Sequence, residues 1–140
     1  MLGACATSLR SGRGVVPEDS AWGASSVAAH SLWPETDVLI GIGSRLELQF
    51  MRWLSTTEYH DRPPPGSPKV IRIDIDPQEM QRFKPDVGVV GDAAEATRLL
   101  IEKIAARGFT PGDPERIAAA KSAARRRIEK EAQPQLAFST

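Results

Sequence analysis

Two apolar runs in the chain predict buried strands of a parallel sheet. The first spans Val38 to Ile42 and is interrupted only by Gly41, and the second, Lys69 to Pro77, is rich in β-branched residues. Short apolar runs bounded by turn residues are typical of strands covered on both faces. The stretch Asp86 to Asp92 predicts a third, shorter strand followed by a turn.

Stretches with helical periodicity alternate with these runs. Apolar positions and cap residues predict five helices, at 25–33, 46–54, 78–83, 93–107 and 115–132. The helix Ala93 to Arg107 has the clearest ends, with Asp92 as N-cap, Glu95 three residues later and Gly108 as the stop. Strands alternating with helices predict an α/β fold with a parallel sheet.

Composition and charge narrow the function classes. The chain has 140 residues, room for one ordinary domain, and its Lys+Arg and Asp+Glu counts are both 18. This balance points to neither nucleic acid nor membrane as a partner. We see no run long enough to span a bilayer and no signal peptide, and the single Cys5 fits a reducing cytoplasm.

Candidate chemistry lies where the predicted strands end, because ligands of open α/β sheets bind at the carboxyl ends of strands. Gly43 and Arg45 after the first strand suit the approach of a phosphate or carboxylate. The alternative is a tight turn with a solvated Arg45. At the end of the second strand, Asp74 could accept hydrogen bonds from a ribose, whereas Asp76 before Pro77 has a sufficient role as a helix cap.

Two other segments can each be interpreted either as functional or as purely structural. The loop Ser11 to Gly14 could wrap an anionic ligand or simply turn the chain. The last predicted helix is basic and could bind nucleic acid, but a solvated helix face accounts for it better because no groove-binding motif accompanies it. Neither His30 nor the pair His60-Asp61 has partners at metal-binding or catalytic spacing.

Four blocks of sequence occur in an order and spacing that resemble a known family. They are Ser11–Asp19, Asp37–Leu46, Val70–Pro77 and Pro85–Asp92. Together they resemble the central domain of the thiamine-diphosphate-dependent enzymes, the family of acetolactate synthase, benzoylformate decarboxylase and oxalyl-CoA decarboxylase. The resemblance covers about Thr7 to Arg107.

The resemblance implies a Rossmann-like parallel sheet with helices on both faces, here expected to lack its first strand and helix. It implies a central domain at 1–108, and a linker and basic helix at 109–140 that lead toward a C-terminal cofactor domain. In the family an N-terminal domain supplies a Glu that activates the thiamine ring. The C-terminal domain holds diphosphate and Mg²⁺ through a Gly-Asp-Gly motif with a later Asn. The chain contains no Asn, so thiamine diphosphate and Mg²⁺ are expected to bind the intact parent enzyme and not this segment. The resemblance implies that the intact parent is a homo-oligomer, a dimer or a tetramer.

The resemblance also implies a candidate nucleotide site, since some members bind FAD or ADP in this domain and others bind nothing. The residues carried over by motif are Gly43, Ser44, Arg45, Asp74, Ile75, Gly91 and Asp92. Ser20 departs from the family, which often has His there. The expected function is that of a domain of an enzyme acting on 2-oxo acids or related substrates, a decarboxylase or an acetolactate-synthase-like carboligase. Two alternatives remain. One is a free-standing dinucleotide-binding module, although Leu46 stands where its third glycine would be. The other is a ligand-free scaffold.

Overall fold

The computed structural model describes residues 2–49, 53 and 65–136. The chain forms two compact units. Residues 1–34 and 110–140 make the first, here called the terminal unit, and residues 35–109 make the second, here called the sheet unit. The predicted candidate residues at the strand ends all belong to the sheet unit.

The regular elements follow one another along the chain. They are α1 (Ser26–Ser31), β1 (Val38–Ile42), β2 (Lys69–Asp74), α2 (Glu79–Arg82), β3 (Val87–Val90), α3 (Ala93–Arg107) and α4 (Pro114–Leu136). Two short 3₁₀ turns, Arg10–Gly12 and Trp33–Glu35, flank α1.

The three strands form one parallel sheet in the order β1-β2-β3. Leu39 pairs with Val70 on one side of β2, and Ile71 pairs with Val87 on the other. Helices α2 and α3 both contact the central strand β2. Three parallel strands in one sheet, packed with helices, confirm the predicted α/β, Rossmann-like fold.

A small apolar core lies against one face of the sheet. Leu46, Val70 and Phe83 are buried together, and Leu39 packs against them. Gly41 on β1 makes room for this cluster, because a Cβ there would lie 2.8 Å from Cδ1 of Leu46. The glycine that interrupts the apolar run of β1 is thus explained by packing.

The terminal unit has a separate core between α1 and α4. Ala24, Ala28, Ile117 and Ala124 are buried in it, with Cys5, Trp22 and Leu32 packed around them. Lys121 donates to the Ser20 carbonyl at 2.9 Å and ties α4 to the loop before α1. Within the described residues, no helix is both long enough and apolar enough to cross a membrane.

Several predicted boundaries shift by a few residues. Helix α1 ends at Ser31, two residues before the predicted end, and the chain continues into the Trp33–Glu35 turn. Strand β2 ends at Asp74, which leaves Ile75 and Asp76 in the turn that follows. Of the helix predicted at 46–54, residues 50–52 and 54 lie outside the described residues.

Candidate functional site

The carboxyl ends of the three strands meet at one edge of the sheet unit. The Gly43 amide donates to the Ile73 carbonyl at 2.8 Å, and the Gly91 amide donates to the Asp74 carbonyl at 3.0 Å. These bonds extend the ladders by one residue beyond β1 and β3. The structure therefore brings Gly43, Asp74 and Gly91 side by side, as expected for consecutive strands of a parallel sheet.

The two glycines leave open space at this edge. A Cβ built on Gly43 or Gly91 would have no described heavy atom within 4 Å. Gly43 also has a φ of 55°, a left-handed conformation that side chains disfavour. A ligand can therefore approach the backbone of both residues, and only Gly43 needs to be glycine for conformational reasons.

The turn after β1 is held in an unusual shape. Leu46 has a φ of 54° although it carries a side chain, and that side chain is buried in the core. The Leu46 amide donates to Oγ of Ser44 at 3.3 Å. Left-handed backbone at a non-glycine residue persists only where neighbours enforce it. We call the segment Gly43–Leu46 the strand-end turn.

Arg45 belongs to a cluster of three guanidinium groups and two carboxylates. Its Nε lies 3.7 Å from Oε1 of Glu79 and its Nη1 lies 3.9 Å from Oε1 of Glu47, and 62% of its side chain is exposed. Arg82 completes the cluster, 2.8 Å from Glu47 and 3.7 Å from Glu79. The third guanidinium is that of Arg72. Among the described residues this charge cluster holds three positive and two negative groups.

Arg72 is a residue of this cluster that the sequence did not single out. It lies in the middle of β2 with a relative exposure of 0%. Its Nη2 donates to the Ser44 carbonyl at 2.9 Å and to Oε2 of Glu79 at 3.1 Å, and its Nη1 donates to the Glu79 carbonyl. The sequence signal that could have identified Arg72 is a charged residue within a strand of β-branched residues. In the sheet, Arg72 pairs with Gly41 on β1 and with Gly88 on β3. A buried charge of this kind requires a partner, which Glu79 supplies.

The acidic candidates already have structural roles. Oδ1 of Asp74 accepts from the Asp76 amide at 3.1 Å, so within the described residues its Oδ2 has no donor. Asp92 caps α3, since its Oδ1 accepts from the amides of Ala94 and Glu95 at 2.9 and 3.0 Å. Asp76 likewise accepts from the Gln78 amide at 2.9 Å. In all three residues Oδ2 has no donor among the described residues, and Asp74 is the one that stands at the end of the central strand β2.

An apolar side chain stands beside these polar groups. Ile75 is 74% exposed in the turn after β2, and Val90 at the end of β3 is also exposed. An exposed Ile next to open backbone can contact a flat ring. The edge thus carries a cation at Arg45, a carboxylate at Asp74 and an exposed apolar side chain at Ile75.

The remaining candidates have local structural roles. Ser20, where the family often has His, donates from Oγ to the Pro17 carbonyl at 2.7 Å and accepts from the Gly23 amide at 3.0 Å. Burial raises the pKa of the Cys5 thiol, more than Lys121 lowers it. Among the described residues no group of three or more His, Cys, Asp or Glu could hold a metal ion.

Comparison with known families agrees with the strand-end motifs. The family model described as thiamine pyrophosphate enzyme, central domain, matches residues 1–100. No curated protein and no solved structure matches the chain significantly. The family match covers well over half of the chain and includes all three strands and the strand-end turn. The chain therefore belongs to the family of thiamine pyrophosphate enzyme central domains.

Proposed function

We propose that this chain is the central domain of a thiamine-diphosphate-dependent enzyme that acts on 2-oxo acids or related substrates, either as a decarboxylase or as an acetolactate-synthase-like carboligase. The family match over residues 1–100 carries this proposal. Thiamine diphosphate and Mg²⁺ would be held by other domains of the same subunit, because the Asn of the family's diphosphate motif is absent from the chain.

We further propose that the strand-end edge of the sheet unit binds an adenine nucleotide, FAD or ADP. The supporting observation is the open space over Gly43 and Gly91 on either side of the end of β2. Arg45 would meet the phosphates, since its two ion pairs are long and its side chain is mostly exposed. Such pairs contribute little to stability, so a phosphate can replace them at small cost.

The other candidate residues have complementary roles in this proposal. Asp74 would accept from a ribose hydroxyl through Oδ2, because its negative charge would repel a phosphate. Ile75 would cover an apolar ring. Asp92 would support the backbone at Gly91, because Oδ1 of its carboxylate caps α3.

A ligand-free scaffold is the second candidate function, and a specific observation favours it. Arg45, Asp74 and Asp92 each have a partner within the sheet unit. A turn stabilised in this way needs no ligand to explain its residues. On this alternative the unit only joins the domains of its parent enzyme. For either candidate we propose that the parent is a cytoplasmic homo-oligomer and that residues 1–108 form its central domain.

Calorimetric titration with ADP, FAD and adenosine separates the two candidates. A nucleotide site predicts measurable ADP binding and much weaker binding of adenosine, which lacks the anion for Arg45. Equal binding of ADP and adenosine would contradict the role of Arg45, and absence of ADP and FAD binding would favour the scaffold.

The reading frame on either side of the chain tests the parent enzyme directly. We expect a domain with the activating Glu before this segment and a Gly-Asp-Gly motif with a later Asn after it. A frame that codes for neither would contradict the assignment to a thiamine-diphosphate enzyme and support a free-standing module.

A further inference from the structure

Arg72 connects the buried side of the sheet unit to the strand-end turn. Its guanidinium binds the Ser44 carbonyl of that turn and both the carbonyl and the carboxylate of Glu79 on α2. It is fully buried, so it cannot touch a ligand at the edge. Any influence it has on a ligand must pass through Ser44 and Glu79.

The first connection fixes a peptide plane. In a trans peptide the carbonyl and the following amide N–H point in opposite directions. Because Arg72 holds the Ser44 carbonyl toward the interior, the Arg45 amide N–H of the same peptide is turned away from Arg72. Within the described residues, neither this N–H nor that of Ser44 has an acceptor. Consecutive free amides at a strand end are suited to an anion.

The second connection acts on the Arg45 side chain. Oε2 of Glu79 lies 3.1 Å from Nη2 of Arg72, and Oε1 of Glu79 lies 3.7 Å from Nε of Arg45. One carboxylate therefore bridges the buried and the exposed guanidinium. Without Arg72, Glu79 would retain only cations that are partly exposed, and Arg45 would become its stronger partner.

We propose that Arg72 is a positioning residue for the nucleotide phosphates: it orients the Ser44–Arg45 peptide and occupies Glu79, so that both the amide and the guanidinium of Arg45 are available to one anion. This inference rests on the proposed nucleotide site. It differs from a role in stability alone, because it predicts that affinity and turn geometry change even where stability is retained.

A charge-balanced double variant, Arg72→Met with Glu79→Gln, removes the pair without leaving one buried charge alone. The matched control is Arg98→Met with Glu102→Gln, which removes an exposed pair of 2.7 Å on α3. In the double variant at Arg72 and Glu79, position 79 can no longer capture Arg45, so this variant tests the Ser44 connection alone: we expect the amides of Gly43 and Leu46 to exchange with solvent about tenfold faster, and ADP binding to weaken less than in Arg72→Lys. The control should change neither quantity.

Arg72→Lys keeps the experiment informative if the double variant does not fold. Lysine retains the positive charge beside Glu79, but its single ammonium lacks the planar fork that reaches two carbonyls and a carboxylate. We expect Arg72→Lys to fold with lowered unfolding stability, because buried carbonyls lose their donor, and to show weakened ADP binding with faster exchange confined to the strand-end turn. Normal ADP affinity together with unchanged exchange in a folded variant would overturn the proposal.

Amide exchange also separates this proposal from the nucleotide site itself. If the wild-type chain binds no ADP, the proposed site fails. Selective acceleration at Gly43 and Leu46 would then still support Arg72 as the residue that positions the turn. Unchanged exchange there would overturn that role as well.

Discussion

Gly43 and Gly91 form a natural comparison at the residue scale. Both have open space for a side chain, but only Gly43 has a left-handed φ. We expect Gly43→Ala to lower the free energy of unfolding by about 1–2 kcal/mol, whereas Gly91→Ala should change it by less than about 0.5 kcal/mol. Urea unfolding followed by circular dichroism measures both.

The same two variants report on the ligand. Each new methyl group would occupy the space over a strand end, so both should weaken nucleotide binding although only Gly43→Ala loses stability. Equal losses of stability would show that backbone conformation is not what distinguishes the two positions.

Asp86 gives the sheet unit a predictable dependence on pH. The Lys69 ammonium donates to its Oδ1 and the Val70 amide to its Oδ2, both at 2.8 Å, and these bonds hold the pKa of Asp86 below its ordinary value. The folded state therefore favours the carboxylate. Its contribution to stability is complete above the unfolded pKa and is lost from about pH 4 downward, as the pH falls through the lowered folded pKa.

Asp86→Asn should therefore be less stable than the wild type at pH 7, and the difference should narrow as the pH falls below about 4. Urea midpoints measured at several pH values test this. Asp19→Asn, at an exposed loop position, is the control and should follow the wild type throughout. A difference that stays constant with pH would contradict the role given to the Asp86 carboxylate.

Single residues were predictable where one local rule decides their role. Gly43 at a strand end and Asp92 before a helix follow from turn and capping preferences. Arg72 and Leu46 were not predictable, because their conformations depend on contacts between segments far apart in sequence. The Ser44–Arg72 bond spans 28 positions.

At the scale of elements, the stability of α3 depends on its N-cap residue, Asp92. Asp92 accepts two amides of the first turn, and Gly108 ends the helix with a φ of 69°. We expect Asp92→Ala to cost about 1 kcal/mol of unfolding free energy, while Asp92→Asn, which keeps an acceptor, should cost much less. Urea unfolding of the pair measures the effect, and equal costs would contradict capping by the side chain.

The elements with strong end signals were predicted most accurately. Helix α3 and strand β1 have the predicted bounds, because Asp92 with Gly108 and the apolar run 38–42 mark them in the sequence. Helix α2 is shorter than predicted, since Asp76 and Pro77 form a turn before it. The apolar stripe that helical periodicity predicts for α3 is only half-buried and consists of Ala93, Ala96, Leu100 and Ile104. The neighbouring Leu99 and Ile101 are exposed, which periodicity alone does not reveal.

At the scale of the whole molecule, two distant stretches share one unit. Residues 110–136 return to pack with residues 2–34, and the Gly112 amide donates to the Leu2 carbonyl at 3.3 Å. No sequence pattern announces such a return, because it depends on the small residues at which the segments meet. A Cβ on Gly112 would lie 2.1 Å from the Gly3 carbonyl oxygen.

The absence of an Asn from these 140 residues leads to a prediction about catalysis. Supplied with thiamine diphosphate, Mg²⁺ and pyruvate, the chain should release no carbon dioxide above a protein-free control, because the diphosphate motif of the family needs that residue. A coupled assay measures the release. Turnover that rises in proportion to the concentration of the chain would contradict the assignment of the chain as a central domain.

The central claim is that the strand-end edge is a nucleotide site organised around Arg45. Calorimetric titration of ADP into the wild type, Arg45→Ala, Asp74→Asn and the control Arg98→Ala tests it most directly. A charge-assisted contact contributes about 1.5–3 kcal/mol, so Arg45→Ala should bind about ten- to a hundredfold more weakly, Asp74→Asn should lose less, and Arg98→Ala should match the wild type. Equal affinity of the wild type and Arg45→Ala, or no ADP binding by the wild type, would contradict the claim.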